Sequence, residues 1–236
     1  ALLIAVAVGY GVMLLWDVIL LYQYFPQGEK GAFLFLRWVD QFLPLAFTGF
    51  FINIGLFAHL VIMWVGPLQV QVQGLFVGAP YHDVPALVAF LTILVTTVNF
   101  VVSVEVNFYP KYKNYYSLFN DKGAVGDITQ AGEEMLKVLN VELKYTALKQ
   151  LLATALAISL GGLLLEYVPL GFNDLMEGYF RTLCVGYGIY AVANTMLLLL
   201  LYFTDYKGAL AASGCFAGGT VLFTVISLFF PRVYYG

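Results

Sequence analysis

Apolar residues in this chain fall into long, nearly unbroken runs rather than short periodic stripes. A helix needs about twenty such residues to cross the hydrocarbon core of a bilayer. Six segments reach that length: Leu2–Phe25, Leu43–Val65, Pro85–Tyr109, Leu148–Val168, Tyr179–Phe203 and Gly208–Phe230. The pattern predicts an all-α integral membrane protein with about six transmembrane helices. Ahead of the second run, Phe33 to Leu36 is apolar too, but Arg37 and Asp40 interrupt it. An interfacial lead-in is expected there, with Pro44 in the first turn of the span.

The links between the runs differ in pattern. After the third run, Tyr112, Tyr115, Tyr116 and Phe119 recur at helical spacing, with Lys111, Lys113 and Asn114 between them. Such an amphipathic continuation is expected at the headgroup level, where tyrosine is favoured. Asn120 to Gly123 and Gly126 break it, and Asp127 with Gln130 resembles a capping-box start. Met135, Leu139, Leu143 and Ala147 then form an apolar stripe leading into the fourth run, with Glu133 and Lys137 placed to pair across one turn. Residues 110–149 therefore read as a helical hairpin. The link from Gly66 to Val84 alternates strictly over Gln69 to Gln73 and is punctuated by Gly74, Gly78 and Pro80. A short extended segment or re-entrant cap is expected, too short to pair alone.

Composition agrees with lipid as the solvent. The 236 residues are 61% apolar and 11% charged, with a mean hydropathy of +0.86. A soluble domain carries about 25% charge. An ordinary soluble enzyme and a disordered chain are excluded, and a net charge of −3 argues against a nucleic-acid partner. The scarce charge is also sorted. Lys111, Lys113, Lys122, Lys137, Lys144 and Lys149, six of the eleven basic residues, lie between runs three and four, whereas Gly66–Val84 and Pro169–Gly178 carry none. By the positive-inside bias, odd spans run outward to inward and both chain ends lie outside. The first run opens with no hydrophilic flank, so an internal to C-terminal portion of a longer protein is expected. Cys184 and Cys215 fit no metal or redox spacing and are expected as buried small residues.

An ionisable side chain inside a span costs a few kcal/mol, which makes each one a functional candidate. Asp17 could line a cavity for a cation or sugar hydroxyls, or it could serve a polar partner on a neighbouring span. His59 could carry a proton or simply be a hydrogen-bonded packing residue. Glu105, near the inner end of the third span, could belong to a gate or reach the interface. Asn53, Asn99 and Asn194 suit interhelical hydrogen bonds, with sugar contact as the other reading, Asn99 standing as a pathway candidate. Phosphate-binding loops, zinc motifs and nucleophile constellations are missing from the sequence, and no metal or cofactor is expected.

Two stretches carry a family resemblance. Gly74 to Pro85 runs into the third span, which ends in Glu105-Val-Asn-Phe-Tyr-Pro-Lys-Tyr-Lys-Asn-Tyr-Tyr116. With Glu142 to Tyr145, Tyr202 to Tyr206 and Ser227 to Gly236, this resembles the PelG family over nearly the whole chain. The resemblance implies part of a larger flippase-like helical bundle in the bacterial cytoplasmic membrane. It further implies export of a Pel-type amino-sugar polysaccharide, in company with PelD, PelE and the glycosyltransferase PelF. Lys111, Lys113 and Lys122 are then candidates for docking such partners, and equally for contact with anionic membrane lipid. A flippase for a lipid-linked oligosaccharide and a non-transporting scaffold for a glycosyltransferase remain the alternatives; an enzyme is not expected.

Overall fold

In the computed structural model, residues 2–25, 34–74, 76–120, 123–167 and 171–235 are described. The chain divides into two compact units, Ala1–Leu43 and Pro44–Gly236. In the first, α1 (Leu2–Tyr24) is a helix with apolar residues on every side, the pattern of a helix solvated by lipid. A 3-10 turn, Leu34–Trp38, then feeds directly into α2 (Val39–Val65). The interruption at Arg37 and Asp40 therefore does not delay the helix to Leu43. Pro44 is its sixth residue, and the Pro44 carbonyl accepts a bond from Thr48 Oγ1 at 2.8 Å.

The second unit begins with the rest of α2 and a two-stranded antiparallel hairpin, β1 (Val70–Gln73) with β2 (Phe76–Gly78). The extended segment is as expected, but it does pair, because Gly74 reverses the chain at φ 58° and brings Phe76–Gly78 alongside. Next comes one nearly continuous rod of 41 residues, Pro80–Asn120. It comprises α3 (Pro80–Phe90), a 3-10 turn, α4 (Leu94–Val102), a π-helical turn at Ser103–Phe108, and α5 (Tyr109–Asn120). Then α6 runs for 43 residues, Val125–Tyr167, followed by α7 (Asp174–Tyr202) and α8 (Tyr206–Ser227). At 1.5 Å per residue the two long rods each measure about 60 Å, twice the thickness of a hydrocarbon core of about 30 Å.

Six helices among the described residues are long and apolar enough to cross a membrane. The fold is that of an all-α multi-pass membrane protein. At some of its helix contacts, small residues let a neighbouring side chain come close. A Cβ at Gly188 of α7 would stand 2.5 Å from Thr154 Oγ1 of α6, and one at Gly161 of α6 would stand 2.6 Å from Phe180 of α7. Two helix starts are capped by side chains: Asn173 accepts from Met176 N, and Asp205 from Gly208 N, each at 2.9 Å. The first cap begins α7 five residues before the expected Tyr179. Arg181 consequently sits within the helix, paired to Glu177 one turn earlier at 2.5 Å, instead of opening it.

α5 also departs from expectation. Its tyrosines face a neighbour: Tyr112 and Tyr115 pack with Phe108, Met135, Leu199 and Phe203 in a core shared by α5, α6 and the end of α7. A continuous helix cannot lie flat at the headgroups while it prolongs a membrane-crossing rod, so Tyr112 and Tyr115 pack partly against protein while Phe119 stays exposed.

Candidate functional site

Two polar constellations stand out in the second unit. The first lies beside the β-hairpin, where α2, α3 and α7 meet. His59 of α2 and His82 of α3 are in edge contact, ring centroids 5.1 Å apart. His59 Nε2 lies 3.1 Å from the Tyr187 hydroxyl of α7, and the His82 ring packs against Tyr179 at 5.9 Å. His82 is only 1% exposed. Its Nδ1 is buried with no hydrogen-bond partner among the described residues, and so is Nδ1 of His59. Next to them, Asp83 accepts from Trp64 Nε1 at 2.9 Å and from Ala79 N at 2.9 Å. A cavity of about 150 Å³ opens onto His59 and Tyr187, walled by Gly55, Tyr190, Phe216 and Thr220. The cavity is therefore walled mainly by apolar and aromatic side chains, with the His59 imidazole and the Tyr187 hydroxyl as its polar groups.

The second constellation is a seam of polar pairs between the Pro80–Asn120 rod and α6. Thr96 donates to Gln150 Oε1 at 2.5 Å, and Gln150 in turn donates to Thr154 at 3.1 Å. Asn99 donates to Thr146 at 2.9 Å and accepts from Lys149. Ser103 and Asn107 both donate to the Glu142 carboxylate, and Lys111 meets Glu134 at 2.8 Å. Positions climb 96, 99, 103, 111 on one rod while their partners descend 150, 146, 142, 134 on the other, the register of two antiparallel helices. The Lys111 ammonium holds the Glu134 carboxyl below the usual carboxylate range, with Gln130 assisting. An open groove of about 780 Å³ runs along this end, bordered by Asn107, Lys111, Glu134, Lys137 and Glu142.

Of the residues singled out from sequence, His59 enters the first constellation, while Asn99 and Lys111 enter the second. Asp17 belongs to the first unit, where it is exposed on α1. Glu105 lies in the π-helical turn, but its side chain is outside the described residues, as is the whole of Lys122. Lys113 is exposed. Among the described residues Glu133 and Lys137 form no ion pair, because Lys111 reaches Glu134 across the helix interface instead. Both cysteines are free; Cys184 is buried but Cys215 is exposed.

Sequence reasoning missed His82, Asp83, Gln150 and Glu142. His82 and Asp83 fell in what read as a loop, because Pro85 was taken as the start of the helix rather than a residue in its second turn. A usable signal was present: His59 and His82 are the only two histidines in the chain, one inside an apolar run and one beside the next. Glu142 and Gln150 carry no local signal of their role, because their partners lie 35 to 54 residues away.

Among the described residues no group of three His, Cys, Asp or Glu side chains could hold a metal ion. No curated protein and no solved structure gives a significant match to the chain. The profile of the PelG family, described as "Putative exopolysaccharide Exporter (EPS-E)", matches residues 1–236. A polar seam inside a membrane-crossing bundle, with that match spanning every residue, assigns the chain to the PelG family of exopolysaccharide exporters.

Proposed function

We propose that this chain forms part of the route by which a Pel-type amino-sugar polymer leaves the bacterial cytoplasm across the inner membrane. The observation that carries this reading is the family match over the whole chain. Two features support it. The long rods extend about 30 Å beyond a single hydrocarbon thickness, which leaves the α5–α6 pair free to stand in water and meet soluble partners. The basic residues of that pair favour the cytoplasmic side, where PelF and the membrane subunits PelD and PelE would dock.

The test separates path from dock. Secreted polymer and co-purifying glycosyltransferase are measured for Asp17→Asn and for combined Lys111→Glu, Lys113→Glu and Lys122→Glu. A path role for Asp17 predicts lost secretion with the complex intact. A docking role for the lysines predicts loss of both together. Because Lys111 also holds Glu134, a Lys111→Glu, Glu134→Lys exchange restores the pair and controls for folding. If Asp17→Asn leaves secretion unchanged while the lysine changes abolish complex and secretion together, the chain acts as a scaffold for the synthase.

A further inference from the structure

The His59–His82 contact is not explained by export alone. The chain has two histidines, 23 positions apart, and the fold sets them ring against ring at the junction of three helices. Packing by itself would be served better by apolar rings, since a buried polar nitrogen without a partner is destabilising. His82 leaves such a nitrogen inside the bundle.

His59 is placed to hold a proton. One ring nitrogen, Nε2, meets the Tyr187 hydroxyl, which can donate to a neutral imidazole or accept from a protonated one. The other, Nδ1, is buried without a hydrogen-bond partner among the described residues. The Asp83 carboxylate, next to His82 in sequence and fixed by Trp64 and Ala79 N, supplies a negative charge that acts on His59 against the larger cost of burying a cation there. His82, pressed against the same ring, makes a second proton unfavourable, because two adjacent imidazolium ions would repel in a low-dielectric site. The titratable groups facing this junction come from each element packed there. α2 supplies His59, α3 supplies His82 and Asp83, and α7 supplies Tyr179, Cys184, Tyr187 and Tyr190. The terminal turn adds Arg232, whose carbonyl accepts from the Tyr179 hydroxyl, and Tyr235, packed near it.

We propose that the His59–His82 dyad is a proton-binding site that takes up a single proton from water and ties the α2–α3–α7 junction to pH. The balance is simple: one proton adds to an imidazole nitrogen, no bond to carbon changes, and the charge is offset by Asp83. In the neutral state the junction is held by aromatic contact and the Tyr187 bond. In the protonated state it gains a cation facing a carboxylate, so lowering the pH draws α2 towards the α3 start. The proposal does not depend on the export reading and stands or falls by direct observation of the two rings.

With only two histidines, selective ¹⁵N-histidine labelling gives one pair of imidazole signals per ring in lipid nanodiscs. Between pH 8 and pH 5 both rings are expected to shift with a common midpoint, together reporting one proton. In His82→Gln, His59 takes the whole shift alone. In Asp83→Asn, which keeps both rings, the common midpoint moves to a proton concentration about tenfold higher. Two independent full protonations, or two rings still neutral at pH 5, would overturn the proposal. So would an Asp83→Asn titration that coincides with the parent's.

Discussion

The two ends of the second unit are joined by different chemistry. Beside the β-hairpin, α2, α3 and α7 meet through rings: His59, His82, Tyr179, Tyr187 and Phe90, with hydrogen bonds few and specific. At the opposite end, the two long rods are joined by a repeating seam of hydroxyls, amides and charges that grows more polar with each turn, from Thr96–Gln150 to Lys111–Glu134. The difference follows the solvent. Where a bundle is surrounded by lipid, an unmatched polar group has no water to turn to, so polar contacts are rationed, and the unpaired ring nitrogens of His59 and His82 stand out. Where the rods run past a bilayer's thickness, water can satisfy any group and charged pairs become cheap and weak.

The comparison makes graded predictions. The largest effect is expected in the core that closes the seam's end, where Phe108 is 1% exposed among Tyr112, Tyr202 and Phe203. Phe108→Ala should cost about 3–5 kcal/mol, measured by unfolding in mixed detergent micelles. A loss below about 1 kcal/mol would mean that α5 is held by the polar seam and not by its rings. Gln150→Leu comes next. It strips Thr96 and Thr154 of their shared partner inside the bundle and should cost about 1–2 kcal/mol. A neutral result would place that rung of the seam in contact with water.

Smallest is the Lys111–Glu134 pair, exposed on both sides. Its sign is set by Glu134, whose folded pKa lies below the ordinary glutamate value. The pair's contribution is therefore complete above the ordinary value and disappears as the pH falls through the lowered one. A carboxyl NMR titration of Glu134 should show that lowered midpoint, and Lys111→Gln should return it to the ordinary range. An unchanged midpoint in Lys111→Gln would remove this rung from the seam.

Much of this was legible in the chain. Six apolar runs needed only counting, since the length required to cross lipid is set by the bilayer. The hairpin at 110–149 was visible in the helical spacing of Tyr112, Tyr115 and Phe119 and of Met135, Leu139 and Leu143, but which way the tyrosines face was not. Amphipathicity tells that one side of a helix is apolar, and it is silent on whether lipid headgroups or another helix covers it. Helix starts were misread where a capping side chain decided them. Asn173 begins α7 early by accepting Met176 N, a geometry no run of hydropathy records.

What the sequence by itself determined is the solvent and the number of crossings, because burying so many apolar residues admits no other answer. It also determined which residues are rare enough to notice, Asp17 and His59 among them. Tertiary structure alone decided who meets whom. Asn99 finds Thr146 and Lys149, Ser103 finds Glu142, and His59 finds His82 and Tyr187. The reason is physical: a helix dictates the spacing of its own faces, but the partner of a face depends on the rotation and register of a second helix, and those are settled only by packing.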